Sequence, residues 1–336
     1  MRSREVRLAA RPAGMPSRED FEIAEVEVPR PRAGEVLVRN HWISVDPYMR
    51  GRMRDRKSYA APYALGEPMT GGAVGRVVES GAEGLAPGDW VLSNYGWREA
   101  FTAPAAQLTP LGELAAAPSA YLGVLGMPGM TAYTGLLAAA SLKDGETVFI
   151  SGAAGAVGSV AGQIAKIKKC RVIGSAGSAE KVAWLRELGF DHAFDYHGAD
   201  LKAELRAAAP ERLDVFFDNV GGEHFDVALS HMRELGRIAL CGFISEYNEE
   251  EAAPGPRNLS GRAISFGLNI RGFLVRHYAH MRGDFQRDMS AWLAEGKVVY
   301  RETVVEGIER APEAFLGLFT GANIGKMVVR LHGAEG

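Results

Sequence analysis

The stretch Ser151-Gly152-Ala153-Ala154-Gly155-Ala156-Val157-Gly158 returns to glycine every third residue, directly after the apolar run Thr147-Val148-Phe149-Ile150. A segment with helical apolar spacing follows, through Val160, Ala161, Ile164, Ala165 and Ile167. Strand, glycine turn and helix in this order form a dinucleotide cradle. Glycine lets the backbone approach a pyrophosphate, and the first N–H groups of the helix, with its dipole, favour the anion. The order here is Gly-x-x-Gly-x-x-Gly, which displaces the first glycine of the usual fingerprint. Gly155 then serves the close approach and Gly158 the packing of helix on sheet, while Ala154, Ala156 and Val157 complete the turn. The competing reading is a tight turn with no ligand; the strand–helix alternation that follows favours binding.

What comes after the second strand bears on the cofactor. An NAD site places Asp or Glu about 20 residues on, to take the ribose hydroxyls. This chain has Gly174-Ser175-Ala176-Gly177-Ser178 there, with no acid, and Lys181 in the first turn of the next helix. A lysine on a 2′-phosphate is worth roughly 1.5–3 kcal/mol, so NADPH is favoured over NADH. The alternative leaves Lys181 in solvent, its field blunted by Glu180.

Other constellations carry less. Gly325-Lys326 is followed by Met327, so it is not an ATPase-type phosphate loop, and neither Gly-x-Ser-x-Gly nor His-Glu-x-x-His occurs. His277 and His280 share a helical face without a thiol–carboxylate cluster around them. Met127 and Met130 read as packing. Arg50, Arg52, Arg54, Arg56 and Lys57 read as a solvated face on one side of an extended segment. The two cysteines, Cys170 and Cys241, cannot form a four-thiolate zinc lobe or a disulfide framework, and they suit a reducing cytosol.

These residues need elements to hold them. At about 150 residues per domain, 336 residues suggest two domains. Residues 1 to about 110 carry short β-type segments, such as 35–41, 75–79 and 88–92, and suggest a barrel or sandwich. From about 145 strands and helices alternate, with strands at 147–150, 171–174, 192–196, 213–217 and 237–241. A helix capped by Ser178 ends before Gly189. The expected fold class is α/β, with a doubly wound parallel sheet. Residues 249–257 read as a loop. The last forty residues, with strands near 304–307 and 326–331 and a helix near 311–320, either extend the sheet or return to the first domain.

Leu114 to Leu142 is uncharged, yet Pro128-Gly129 should break any membrane-length helix, leaving a buried linker and a helix from Thr131 to Ser141. The charged N-terminus leads into no signal-type apolar run. A net charge of −3 offers nucleic acid or an anionic membrane no attraction. The partner is then a small molecule.

Several stretches together carry a resemblance. They are Ser44-Val45-Asp46-Pro47-Tyr48-Met49-Arg50-Gly51, Leu125-Gly126-Met127-Pro128-Gly129-Met130-Thr131-Ala132-Tyr133, 151–158, 177–182, Phe217-Asp218-Asn219-Val220-Gly221-Gly222, 241–248 and 321–326. In this order they resemble the zinc-free medium-chain reductases of the prostaglandin reductase, alkenal double-bond reductase and curcumin reductase group. The resemblance implies a barrel-like, GroES-like catalytic domain (1–124 and 301–336) around a Rossmann NADP-binding domain (125–300), and so a C-terminal return to the first domain.

It also implies roles. Lys181 meets the 2′-phosphate with Gly177 beside it, and Tyr196 and Asn219 line the nucleotide. Cys241, Gly242 and Tyr247 follow the fifth strand, Phe273, Leu274 and Val275 flank the nicotinamide, and Asn323 closes the site. Tyr48 is the substrate-pocket tyrosine. The implied enzyme is a cytoplasmic homodimer without metal that reduces the C=C bond of enals and enones. The enolate would be held by Tyr48, the cofactor ribose or a water. Quinone reduction, or NADPH binding without catalysis, are the alternatives. Some members carry a second tyrosine near the position of Ser265 or Phe266, and none stands here.

Overall fold

The computed structural model describes residues 1–251, 255–256 and 258–331. Residues 252–254 and 257 of the expected loop lie outside the described residues. The chain divides into two compact units. One comprises residues 1–122, 302–323 and 327 onward, the other 123–301 and 324–326.

The first unit begins with an antiparallel pair, β1 (Arg2–Leu8) and β2 (Phe21–Glu27). Then come the long β3 (Glu35–Ser44) and a helical turn, α1 (Met49–Arg52). β4 (Ala73–Ser80), β5 (Trp90–Ser93), β6 (Ala100–Pro104) and β7 (Thr109–Pro110) complete this part. β3 pairs antiparallel with both β4 and β6.

The even arginine spacing does not mark an extended segment, because α1 turns there. Met49 and Met53 are both fully buried, and one helical turn sends both into the core. Arg50 is 0% exposed and donates from Nη2 to Gly14 O at 2.5 Å. Arg52 donates to Ala61 O (2.8 Å) and Thr70 Oγ1 (2.9 Å), with its guanidinium 4.0 Å above the Tyr63 ring. These two arginines are structural rather than solvated.

The second unit opens with α2 (Met127–Thr134), continued by a π-type turn over Gly135–Ala139. Pro128-Gly129 starts this helix instead of breaking it, since proline in a first turn forfeits no helical hydrogen bond. No described helix is long and apolar enough to cross a membrane. Next come β8 (Thr147–Ile150), α3 (Gly158–Ile167), β9 (Arg171–Ala176), α4 (Ala179–Glu187) and β10 (His192–Asp195). They are followed by α5 (Leu201–Ala208), β11 (Leu213–Asp218), α6 (Gly222–His231) and β12 (Met232–Leu240). α7 (Leu259–Phe266), β13 (Asn269–Gly272) and α8 (Arg282–Ala294) end the series.

The sheet order is β10-β9-β8-β11-β12-β13, with every neighbouring pair parallel. Chain direction across the sheet reverses between β8 and β11, and such a switch point opens a crevice at the carboxyl ends of the strands. On one face Phe149, Ile173, Phe194 and Phe216 meet Leu201, Leu205, Ala228 and Leu229 of α5 and α6. On the other face α3 lies so close that a Cβ at Gly162 would come within 2.0 Å of the Phe190 ring.

β12 starts at Met232, ahead of the expected Arg237. Its register against β11 shifts between Leu213 and Val215, so Val215 faces Arg237 and the intervening residues bulge outward. β13 has no apolar run to announce it, because it is an exposed edge strand. The chain returns through β14 (Glu302–Glu306), α9 (Ala311–Gly317) and β15 (Lys326–Arg330). β15 pairs antiparallel with β3, so these last strands join the seven-stranded sheet of the first unit.

His224 of α6 is buried among rings, parallel to Phe149 (6.4 Å) and edge-on to Tyr196 (4.9 Å). Burial pulls its imidazole from 6.5 down to about 4. Between those values the unfolded chain takes up a proton that the folded chain refuses. The contribution is therefore complete above pH 6.5 and lost as pH falls towards 4, at roughly 1.4 kcal/mol per pH unit. His224→Phe should make Tm fall less steeply than wild type between pH 7 and pH 5; equal slopes would show that His224 does not govern acid sensitivity.

Candidate cofactor and substrate site

The glycine turn leaves the end of β8 beside the end of β11. Ser151 Oγ donates to Asp218 Oδ1 at 2.7 Å, and the same oxygen accepts Val220 N and Gly221 N, both at 3.0 Å. Asn219 N donates to Ser151 Oγ and Asn219 Nδ2 to Ser151 O, each at 2.8 Å. Burial raises the Asp218 carboxyl pKa, and these donors oppose the shift. Gly152 adopts φ +57°, the left-handed region that disfavours a side chain. At Gly158 a Cβ would fall 2.6 Å from Gly152 O and 2.7 Å from Ala153 Cα, so any larger residue would lift α3 off the turn. The helix begins at Gly158, with Gly155, Ala156 and Val157 still in the turn.

At the end of β9, Ser178 Oγ caps α4 by accepting Lys181 N at 3.3 Å. Burial lowers the pKa of the Lys181 ammonium, against the pull of Glu180. A half-buried cation at this position is suited to an anionic partner. A Cβ on Gly177 would come within 3.0 Å of Tyr196 Oη, and His197 Nδ1 lies 3.1 Å from Gly177 O. Gly177, Lys181 and Tyr196 thus share one corner. Burial also raises the Tyr196 hydroxyl pKa.

Beyond β12, Cys241 N and Gly242 N both donate to Asp218 O, at 2.8 and 3.0 Å. Burial, and secondarily the Asp218 charge, push the Cys241 thiol up to about 12, which disfavours the thiolate. A Cβ on Gly242 would sit 3.2 Å from Asn219 O and 3.4 Å from Tyr247 Oη, so Asn219, Gly242 and Tyr247 are neighbours. After β13, Phe273 packs edge-on against Phe217 at 6.1 Å, and Leu274 caps the 3₁₀ turn Val275–Met281. These groups line the carboxyl edge of the parallel sheet. The glycine cradle, the missing acid after β9 and the half-buried lysine together fit a 2′-phosphorylated dinucleotide.

Tyr48 and Asn323 belong to the other unit. Tyr48 precedes α1 and packs, half-buried, against the cluster that holds Val45, Met49 and Tyr63. Burial, then the Asp46 charge, hold its hydroxyl pKa far above the ordinary 10. Asp46 in turn accepts a hydrogen bond from Ser44 Oγ. Asn323 lies between Gly321 and Gly325, both at positive φ. Gly325, part of the failed phosphate loop and of the family-like stretch 321–326, donates its N–H to Ala154 O at 2.8 Å within the glycine turn. Among the described residues no group of three or more His, Cys, Asp or Glu is placed to hold a metal ion, His277 and His280 included.

Residues 4–111 match the family described as the N-terminal domain of oxidoreductase, and residues 156–295 match the zinc-binding dehydrogenase family. The NADPH-dependent curcumin reductase of Escherichia coli is 44% identical over 339 residues, covering 99% of this chain and 98% of that protein. A 2-alkenal reductase of Nicotiana tabacum is 44% identical, with 94% of each chain covered. The crystal structure of CurA from Vibrio vulnificus in complex with NADPH superposes with a TM-score of 0.94 at 42% identity, over 98% of this chain and 99% of that one. The chain belongs to the zinc-free medium-chain reductases, in the group that holds the curcumin, prostaglandin and 2-alkenal reductases.

Proposed function

We propose that this protein uses NADPH to reduce the C=C bond of α,β-unsaturated aldehydes and ketones. When bound, NADPH supplies the hydride, which is received at the substrate β-carbon; a proton then reaches the α-carbon. Ala154, Gly155, Ala156, Val157 and Gly158 take the pyrophosphate, and Lys181 with Gly177 takes the 2′-phosphate. Tyr196, Asn219, Cys241, Gly242, Tyr247, Phe273, Leu274, Val275 and Asn323 line the rest of the cofactor. We assign residues 1–124 and 301–336 to the catalytic domain and 125–300 to the NADP-binding domain.

Tyr48 carries the substrate reading. Hydride arrival at the β-carbon moves negative charge onto the carbonyl oxygen. A half-buried hydroxyl, protonated at neutral pH as any tyrosine is, can donate to that charge as it develops. No second tyrosine stands near Ser265 or Phe266 to share the work.

The deciding assay follows NADPH oxidation with trans-2-enals, enones and quinones, with product analysis. Saturated carbonyl products are expected; hydroquinones alone, or no turnover, refute the proposal. Tyr48→Phe should lower enone turnover and leave NADPH affinity unchanged, and undiminished turnover would reduce Tyr48 to a pocket wall. Lys181→Ala should weaken NADPH about tenfold or more while barely changing NADH, and equal loss for both would remove the phosphate role.

We further take the protein to be a cytosolic homodimer. Both cysteines are free, as suits a reducing compartment. β13 leaves an edge at the end of the parallel sheet, and Ile264 of α7 is 81% exposed. Light scattering should give the mass of two chains, and one chain's mass would exclude the dimer.

A further inference from the structure

Residues 298–301 touch both helices that begin at the phosphate ends of the cradle. On α3 the buried Gln163 grips this segment: Gln163 Nε2 donates to Val299 O at 2.9 Å, and Val299 N donates to Gln163 Oε1 at 2.8 Å. On α4 the Arg301 guanidinium pairs with Glu187 at 2.9 Å and lies 5.5 Å from the centre of the Trp184 ring. The Arg301 carbonyl accepts Lys326 N at 3.0 Å, and the preceding Gly325 N reaches Ala154 O at 2.8 Å. Gly325 has φ +68°, and a Cβ there would stand 2.0 Å from Arg301 O. Only glycine allows so close a crossing. One continuous path therefore joins the glycine turn, α3 and the helix that carries Lys181.

We propose that residues 299–301 and 324–326 form a brace that fixes the spacing between the pyrophosphate turn and the first turn of α4. Gln163, Arg301 and Gly325 are then positioning residues for the two phosphate ends of NADPH, which rests on the cofactor reading above. A ligand held at two points gains affinity from their fixed separation, because its second contact forms at high effective concentration. A ligand held at one point gains nothing from it. The brace thus acts on NADPH, held at both ends, and not on 2′-AMP, held only beside α4.

The test measures binding of NADPH, NADH and 2′-AMP to wild type, Arg301→Ala and Glu187→Gln, each with and without Lys181→Ala. Arg301→Ala loses an exposed ion pair and a ring contact, so NADPH should weaken about fivefold. The change for 2′-AMP should stay under about twofold, and so should the further change in NADPH binding once Lys181 is gone. KM for NADPH should rise with kcat at saturating NADPH unchanged, and Tm should not move. Glu187→Gln, which opens the same pair from the helix side, should reproduce the effect. An equal loss with and without Lys181, a loss shared by 2′-AMP, or unchanged NADPH affinity in both variants overturns the brace. Wild-type protein that holds NADPH no more tightly than NADH instead overturns the cofactor reading, and the brace with it.

Discussion

One buried carboxylate at the end of β11 holds the crevice of the parallel sheet in shape. Asp218 is 1% exposed, and its Oδ1 gathers Ser151 Oγ, Val220 N and Gly221 N. Its carbonyl gathers Cys241 N and Gly242 N. A single residue therefore fixes the ends of β8, β11 and β12, the strands that border the switch point. A buried charge is tolerated only when it is fully hydrogen-bonded, and removing its partners costs several kcal/mol. The turn from Ser151 to Gly158 has little freedom once Ser151 is held this way. The cradle is stiff before any ligand arrives, which spares ordering cost on binding.

Glycine is used here for two separate purposes. At Gly152, Gly325 and the capping Gly189 the backbone takes a positive φ. At Gly158, Gly162 and Gly174 the backbone is ordinary, and what matters is the absence of a side chain. Phe190 fills the space between Gly162 and Gly174, with its ring 2.0 and 2.7 Å from where their Cβ atoms would be. Helix α3 is thereby drawn onto the sheet, and its first turn comes to rest on Gly152 and Ala153. The phosphate turn depends on this packing as much as on its own sequence.

The readable parts of the chain were those whose physics is local. The glycine turn, the Ser178 cap and the buried strands announce themselves by composition and period. What could not be read depended on distant partners. The arginine run looked solvated because nothing nearby in sequence shows that Arg50 will reach Gly14 O, or that Met49 and Met53 will both be buried. Pro128 looked like a break because the start of α2 is set by packing: a Cβ at Gly129 would strike Val124 O at 1.9 Å. β13 has no apolar period because it is a polar edge. The contact of Arg301 with Glu187 spans 114 residues, and no pattern could foretell it. The glycine turn and its strand–helix frame were therefore legible, while the groups that hold them in place were not.

Two groups, one in each unit, are pushed towards their neutral forms for the same physical reason. Burial first, and a carboxylate second, raise the pKa of both the Tyr48 hydroxyl and the Cys241 thiol. For a thiol this removes the nucleophile, since only the thiolate reacts readily. For a phenol, already protonated at neutral pH, the same shift only deepens that preference. Burial beside a carboxylate, Asp46 in one unit and Asp218 in the other, thus silences the thiol while leaving the phenol a hydrogen-bond donor.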